Sequence, residues 1–138
     1  MSDFNWSDDE RGSLTVDGVA LEYQCYGPSP ITMPTIVMLH EGLGCIDLWR
    51  DFPKKISQAT GYGVFVYSRP GYGKSDCGNS PWSLDYMAYH AKFVLPKLLN
   101  EISLQKFLLL GHSDGASISA LYAGNKEDHR LLGIILLA

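Results

Sequence analysis

The fold of this chain is decided by one stretch, FLLLGHSDGAS, which runs from Phe107 to Ser117. Four apolar residues of strand type lead into Gly111, and the small and apolar residues after Gly115 are typical of a helix. A strand, a sharp turn and a helix around Gly-x-Ser-x-Gly form the pattern of a nucleophile elbow, whose turn lifts the serine hydroxyl above the sheet. The two glycines are needed because the backbone passes very close to its neighbours there. The simpler alternative is an ordinary strand–helix turn with Ser113 as a cap.

The composition favours one globular domain with a buried core. The chain has 138 residues, of which 46% are hydrophobic and 19% charged. A net charge of -4 gives no electrostatic basis for binding nucleic acid or an anionic membrane. Neither a signal peptide nor an apolar run long enough to span a bilayer is visible. We therefore expect a cytoplasmic protein with no nucleic-acid or membrane partner, and we leave its oligomeric state open.

The cysteine pattern supports the same location. Cys25, Cys45 and Cys77 are an odd number at wide spacing, which argues against a disulfide framework and against a zinc site. Reduced thiols are the simpler interpretation. The residues indicate neither a metal nor an organic cofactor.

The first half of the chain predicts a hairpin and then a strand–helix unit. Residues 1–11 are a loose polar lead-in, and residues 12–138 form the domain. Val16 and Val19 flank Asp17-Gly18, a pair typical of a type I′ hairpin turn. A buried strand at 35–40 precedes a helix that Pro53 kinks or restarts and that Gly61 ends. The predicted apolar face of this helix consists of Trp49, Phe52, Ile56 and Ala59.

The second half predicts a long helix between buried strands. The strands lie at 64–67, 106–110 and 132–138, and a glycine-rich loop covers 68–80. Ser83 is the expected N-cap of the long helix, and Pro96 is expected to bend it. His90 and His129 are expected at the surface. The predicted buried face of the helix consists of Leu84, Met87, Ala91, Val94, Leu98 and Ile102.

Three motifs that invite other functions are incomplete. Gly73-Lys74-Ser75 would end a phosphate loop, but the glycine required five residues earlier is Ser68. Gly42-Leu43-Gly44 would begin a dinucleotide fingerprint, but Asp47 occupies the position of the third glycine. His40-Glu41 would begin a zinc-protease motif, but the second histidine position is Gly44.

Three segments in this order resemble the N-terminal half of an α/β-hydrolase fold protein. They are His40–Gly44 (HEGLG), Ser68–Asp76 (SRPGYGKSD) and Gly111–Gly115 (GHSDG). The resemblance covers about residues 12–138. It implies an α/β fold in which an N-terminal hairpin leads into a mostly parallel sheet, with helices on both faces, truncated after the strand that follows the elbow helix.

The resemblance also implies roles for individual residues. Ser113 would be the nucleophile, and the backbone N–H groups of Gly42 and Asp114 would form the oxyanion hole, with Leu43 as an alternate to Gly42. Gly111, His112 and Gly115 would support the elbow. Two residues depart from the family pattern: Glu41 replaces a glycine, and Ser68 replaces an aspartate. We expect Glu41 to face solvent or to make a structural hydrogen bond, with an acid or base role as the alternative.

The activity that the resemblance implies is a serine hydrolase acting on an ester, thioester or amide of a small molecule. A serine at the elbow argues against dehalogenase and epoxide hydrolase chemistry, where the family uses a carboxylate. In this family the acid and the histidine follow the serine, and the sequence after Ser113 is too short to hold them. We therefore expect an inactive N-terminal part of a longer enzyme. The alternatives are a non-catalytic binding or scaffold member of the fold and a lyase using the same triad.

Overall fold

The sheet has the predicted architecture. The structure is a computed structural model that describes residues 4–78, 83–125 and 127–138. Six strands form one sheet in the order β1-β2-β4-β3-β5-β6. Their bounds are β1 (Arg11–Val16), β2 (Val19–Tyr26), β3 (Thr35–Leu39), β4 (Gly63–Tyr67), β5 (Phe107–His112) and β6 (Leu131–Leu137). The pairs β1–β2 and β2–β4 are antiparallel, and the other pairs are parallel.

The hairpin turn follows directly from its two residues. Asp17 and Gly18 have φ angles of 51° and 77°. A type I′ turn requires positive φ at both central positions, and it matches the twist of the flanking strands. The predicted hairpin is therefore confirmed.

Helices cover both faces of the sheet, as predicted. Their bounds are α1 (Phe52–Thr60), α2 (Tyr86–Tyr89), α3 (Leu95–Glu101) and α4 (Asp114–Asn125), with a 3₁₀ turn at Ile46–Trp49 and a π-helical stretch at His90–Val94. Alternate residues of β5 point to opposite faces. Leu109 packs in one core with Leu98 of α3 and Ile118 of α4. Leu110 packs in a second core with Ile56 of α1.

The predicted buried face of α1 is partly wrong. Pro53 and Ser57 are its buried residues, and Phe52 and Ala59 are exposed. Of the four predicted positions, Ile56 packs against the core from α1 and Trp49 packs against it from the preceding 3₁₀ turn. Ser57 is buried because its hydroxyl donates to the carbonyl of Tyr62 at 2.8 Å, which a hydropathy pattern cannot indicate. Pro53 opens the helix in its first turn, so the predicted restart is confirmed.

Gly61 ends α1 as predicted. Its φ is 73°, and its N–H donates to the carbonyl of Ser57 at 2.8 Å. This left-handed cap geometry favours glycine because a Cβ would be strained there.

The start of the long helix differs from the prediction. Asp85, not Ser83, occupies the N-cap position: the Ser83 hydroxyl donates to the Asp85 carboxylate at 2.5 Å, and no side chain accepts a hydrogen bond from the first helical N–H groups within the described residues. Leu84 precedes the helix and is fully exposed. Residues 79 and 80, the end of the predicted glycine-rich loop, lie outside the described residues.

The long helix also changes its winding near Pro96. The π-helical stretch His90–Val94 lies immediately before Leu95–Glu101, and Pro96 stands in the first turn of that segment. Proline has no N–H to donate to the preceding turn, and a wider turn accommodates that loss. A local π-helical widening is therefore found where a bend was predicted.

Residues 4–10, the described part of the predicted lead-in, contact the rest of the fold. Phe4 and Trp6 pack against the core of the hairpin face, and the Trp6 Nε1–H donates to the carbonyl of Gly27 at 2.9 Å. The polar composition of residues 1–11 led to the prediction of a loose segment. The two aromatic side chains nevertheless bury apolar surface in this core, which stabilises the segment.

Strand β6 lies at the edge of the sheet and is exposed. It pairs only with β5 within the described part of the chain. Leu132 is 53% exposed and Leu136 is 50% exposed, so the strand is not buried by the residues of this chain. Apolar side chains of β6 therefore face solvent on both sides of the sheet.

The three cysteines differ in their burial. Cys25 is buried, Cys45 is half-buried and Cys77 is exposed, and all three are free thiols. Burial raises the pKa of the Cys25 thiol well above its ordinary range.

Candidate active site

Ser113 stands on a strained turn at the carboxyl end of β5. Its φ is 51°, a left-handed conformation that a residue with a side chain rarely adopts, and the residue is exposed. Its carbonyl accepts the N–H of Ser117 at 3.1 Å and so begins α4. The turn therefore presents the serine hydroxyl to solvent at the junction of strand and helix.

The two elbow glycines lie at backbone-to-backbone contacts. A Cβ on Gly111 would stand 2.2 Å from the carbonyl oxygen of Gly115. A Cβ on Gly115 would stand 2.1 Å from the carbonyl oxygen of Leu39. Backbone atoms cannot move aside as flexible side chains can, so both positions exclude any larger residue. The second contact brings α4 against the end of β3, from which the 40–44 loop departs.

The 40–44 loop reaches the start of α4. A Cβ on Gly42 would stand 2.7 Å from Oδ2 of Asp114, so the two residues are in direct contact. Asp114 is held there by Tyr86, whose hydroxyl donates to Oδ2 at 2.5 Å. This hydrogen bond is the main cause that raises the pKa of Tyr86, with burial second. The structure therefore places Gly42 beside the Asp114 carboxylate.

Glu41 makes a local hydrogen bond. Its Oε2 accepts the N–H of Leu43 at 3.1 Å, while the Leu43 side chain is 87% exposed. This is the structural hydrogen bond expected for Glu41. Because the N–H of Leu43 is occupied, Gly42 is the better placed donor in this loop.

His40 is a structural residue with a defined tautomer. Its Nε2 accepts the backbone N–H of Arg69 at 2.9 Å, so Nδ1 carries the proton and donates to the carbonyl of Glu41 at 2.7 Å. Burial, with the charge of Arg69 second, lowers the pKa of His40 from 6.5 to about 3. The ring stays neutral, and both of its nitrogens are occupied.

The remaining histidines are placed differently from one another. His112 lies 6.2 Å from the Trp49 ring between ring centroids, a packing position. His90 is 4% exposed, so its predicted surface location is wrong, and burial lowers its pKa to about 4. The His129 side chain is 88% exposed, as predicted. It precedes β6, at the opposite end of the parallel strands from Ser113.

A carboxylate from another strand compensates for Ser68. The Ser68 hydroxyl donates to Oε1 of buried Glu22 at 2.6 Å, and it accepts the N–H of Ile46 at 3.1 Å. Ser75 joins the same network, since its hydroxyl donates to the carbonyl of Ser68 at 2.6 Å. A local hydrogen-bond network therefore surrounds Ser68, with its carboxylate supplied by β2.

A cavity lies beside the elbow but does not include it. Its volume is about 480 Å³, and it lies between the hairpin turn and the long helix, with Leu21, Tyr86 and His90 in its lining. Neither Ser113 nor Gly42 lines it. No cluster of three or more His, Cys, Asp or Glu side chains suited to a metal occurs in the described ranges.

Sequence reasoning missed Tyr86, Arg69 and Glu22. Each contacts the site loops across a long sequence separation: 28 residues for Tyr86–Asp114, 29 for Arg69–His40 and 46 for Ser68–Glu22. A glutamate within the apolar alternation of β2 was the one available signal, because a charged residue in a buried strand needs a partner.

Comparison with known proteins establishes the family. The model of the alpha/beta hydrolase fold matches residues 34–138. The chain therefore belongs to the α/β-hydrolase fold family, as the three sequence segments predicted.

Two curated relatives are hydrolases. Epoxide hydrolase 3 of Siraitia grosvenorii is 28% identical over 112 residues, which cover 80% of this chain and 33% of that protein. Protein phosphatase methylesterase 1 of Candida albicans is 28% identical over 103 residues, which cover 75% of this chain and 28% of that protein. The chain thus spans about a third of the length of these relatives.

Solved structures agree on the fold. A membrane phospholipase A described as a bacterial virulence factor superposes with a TM-score of 0.78 at 26% identity, covering 92% of this chain and 38% of the other. Epoxide hydrolase A from Mycobacterium thermoresistibile gives a TM-score of 0.77 at 25% identity, covering 94% and 39%. None of the helices described in the present chain is both long and apolar enough to cross a membrane.

Proposed function

We propose that the protein containing this chain is a serine hydrolase that cleaves an ester, thioester or amide bond of a small molecule. Ser113 is the nucleophile in this proposal. The observation that carries it is the exposed, strained Ser113 beside the contact between Gly42 and Asp114. A hydrolytic family with a methylesterase among its members supports the reaction class.

The chemistry begins with attack of the Ser113 oxygen on the carbonyl carbon. A base takes the hydroxyl proton, the carbonyl oxygen becomes negative, and the leaving alcohol, thiol or amine departs with a proton. Water then hydrolyses the acyl-serine by the same steps in reverse order. An ester-type substrate is favoured over an epoxide because the elbow side chain is a hydroxyl, whereas family members acting on epoxides carry a carboxylate there.

The N–H groups of Gly42 and Asp114 are the proposed oxyanion donors. The Gly42 N–H makes no backbone hydrogen bond within the described residues. Asp114 provides the first N–H of α4, which has no preceding helical carbonyl to accept it. Each donor of this kind contributes about 3 kcal/mol to transition-state stabilisation.

The base and its orienting acid are proposed to come from outside these 138 residues. His40 uses both ring nitrogens, and His129 lies at the other end of the sheet. The chain by itself is therefore proposed to be inactive. This feature also favours the second candidate, a non-catalytic binding member of the fold.

Two measurements test the proposal. In the full-length protein, Ser113→Ala is expected to lower p-nitrophenyl ester turnover by at least about 10³-fold, while Ser117→Ala, an exposed serine one helical turn further on, leaves it unchanged. A fluorophosphonate probe is expected to label Ser113 in the full-length protein and to leave the 138-residue chain unlabelled. Full turnover by Ser113→Ala would remove the nucleophile assignment, and absence of labelling in folded full-length protein would favour the binding member.

A further inference from the structure

Arg69 is a completely buried arginine with an unusual set of partners. It is 0% exposed, and no carboxylate lies within 4 Å of its guanidinium among the described residues. Its Nη1 donates to the carbonyl of His40, and its Nη2 donates to the carbonyl of Glu41 at 3.2 Å. The guanidinium lies 5.3 Å from the centre of the Tyr72 ring. All of these partners belong to the loops that surround the elbow.

A buried charge without a counter-charge is costly. Removing an arginine from water costs several kcal/mol unless a carboxylate or a full set of acceptors replaces the water. The partners of Arg69 are two carbonyl oxygens and the Tyr72 side chain, which it meets through a hydrogen bond and the ring face, and its Nε–H has no acceptor within the described part of the chain. No carboxylate contacts its positive charge, which lies in a buried medium where charges act strongly on one another.

The charge of Arg69 affects the pKa values of two neighbouring histidines, His40 and His90. After burial, the charge of Arg69 is the next cause that lowers the pKa of His40 to about 3 and that of His90 to about 4. Both rings therefore stay neutral and do not add to the positive charge.

Arg69 is one of three donors that fix how the Glu41–Gly42 peptide group is turned. The Glu41 carbonyl accepts from three donors: Arg69 Nη2, His40 Nδ1 at 2.7 Å and the Gly44 N–H at 3.0 Å. In a trans peptide the C=O and the following N–H point in opposite directions. Anchoring this carbonyl therefore turns the Gly42 N–H away from Arg69.

We propose that Arg69 is a positioning residue of the oxyanion hole: with His40 and the Gly44 N–H it holds the Glu41 carbonyl so that the Gly42 N–H faces the reacting carbonyl, and its positive charge stabilises the oxyanion. This inference rests on the proposed serine hydrolase function. The oxyanion exists only during the reaction, so the charge acts on the transition state more than on bound substrate.

The first test separates kcat from KM in the full-length protein. Arg69→Gln is expected to lower kcat for a p-nitrophenyl ester by about 10–100-fold and to change KM by less than about threefold, because the lost interaction belongs to the transition state. It is expected to lose the same factor in affinity for a trifluoromethyl ketone, whose serine adduct carries an oxyanion. Arg50→Gln, an exposed arginine, is the matched control and leaves both unchanged.

The second variant covers the case in which Arg69→Gln does not fold. Arg69→Lys keeps the charge but cannot hold both carbonyls, so a smaller fall in kcat at unchanged KM is expected. A folded variant of either kind with the kcat and inhibitor affinity of the wild type would overturn the proposal.

A third measurement does not depend on activity. A pH titration of the His90 and His40 ring signals by NMR is expected to give higher pKa values in Arg69→Gln than in the wild type, because a positive neighbour has been removed. Unchanged titrations would overturn the inference. Absence of both ester turnover and serine labelling in the wild type would refute the serine hydrolase proposal, and the inference about the oxyanion with it. Turnover with unchanged Arg69 variants would refute the inference alone.

Discussion

Three residues of the elbow are constrained by main-chain contacts or by their backbone conformation. Gly111 and Gly115 lie against main-chain atoms, and Ser113 adopts a positive φ without being a glycine. This turn is stable only because strand β5, helix α4 and the end of β3 hold it from three sides. Strain at an exposed polar residue, kept by its surroundings, is typical of a functional position.

The Gly115 contact predicts a large loss of stability. In Gly115→Ala, the new methyl group meets the Leu39 carbonyl oxygen, so α4 must shift, and we expect a loss of at least about 2 kcal/mol in the free energy of unfolding. Gly124→Ala is the matched control in the same helix. Its Cβ meets nothing within 4 Å, and it is expected to stabilise the helix by up to about 1 kcal/mol. Urea unfolding measures both, and equal effects would contradict this account.

The buried histidines predict a pH dependence of stability. His40 and His90 have folded-state pKa values of about 3 and about 4, below the ordinary 6.5, so the unfolded chain binds their protons first as pH falls. Each histidine then weakens the fold by about 1.4 kcal/mol per pH unit below that value. We expect the free energy of unfolding to fall by roughly 2 kcal/mol or more between pH 7 and pH 5.

Two variants test whether the buried histidine rings cause the pH dependence of stability. His90→Gln should reduce the slope of stability against pH, whereas His129→Gln, at a side chain that is 88% exposed, should leave it as in the wild type. A stability that is constant from pH 7 to pH 5 would show that these rings are not held neutral by the fold.

At the level of elements, the site is a meeting point of loops and helix ends. The 40–44 loop follows β3, Arg69 follows β4, and Ser113 follows β5, so all three stand at the same edge of the parallel sheet. Parallel strands deliver their following loops to one edge, which is why residues far apart in sequence converge there. Helix α2 joins this group through Tyr86.

The Tyr86–Asp114 hydrogen bond ties α2 to α4. Removing it in Tyr86→Phe is expected to cost about 1 kcal/mol, since the acceptor is a carboxylate but the pair is only partly buried. Tyr89→Phe is the control, because Tyr89 is 49% exposed and lies one turn away in the same helical segment. Thermal unfolding compares the two, and an effect of Tyr89→Phe as large as that of Tyr86→Phe would rule out this tie as the cause.

At the level of the whole molecule, the two edge strands of the sheet, β1 and β6, differ in composition. β1 carries exposed polar residues (Arg11, Ser13 and Thr15), while β6 presents an uncharged apolar strand with a free edge within the described residues. An exposed edge of this kind is a template for pairing with another chain.

We therefore expect the isolated chain to self-associate through β6. Sedimentation of the 138-residue chain should show concentration-dependent association, and Ile135→Lys should reduce it by placing a charge on the edge strand. Ile31→Lys is the matched control, because Ile31 is 85% exposed in a loop and its replacement should have no effect. A monomer with a sharp, concentration-independent thermal transition would contradict this expectation.

The sequence by itself determined those features whose cause lies within a few residues. Asp17-Gly18 specifies its turn, Gly61 specifies a helix end, and the stretch around Ser113 specifies strand, turn and helix, because φ preferences and hydrophobic periodicity act locally. The same local signals, with the 40–44 and 68–76 segments, were enough to predict the family.

Only the tertiary structure decided which distant residues meet. Four features depend on the order of the strands in the sheet. They are the burial of His90, the hydrogen bond from Ser68 to Glu22, the hydrogen bond from Tyr86 to Asp114, and the contact of Arg69 with the 40–44 loop. Strand order is set by packing of the whole core, and a local pattern carries no information about it.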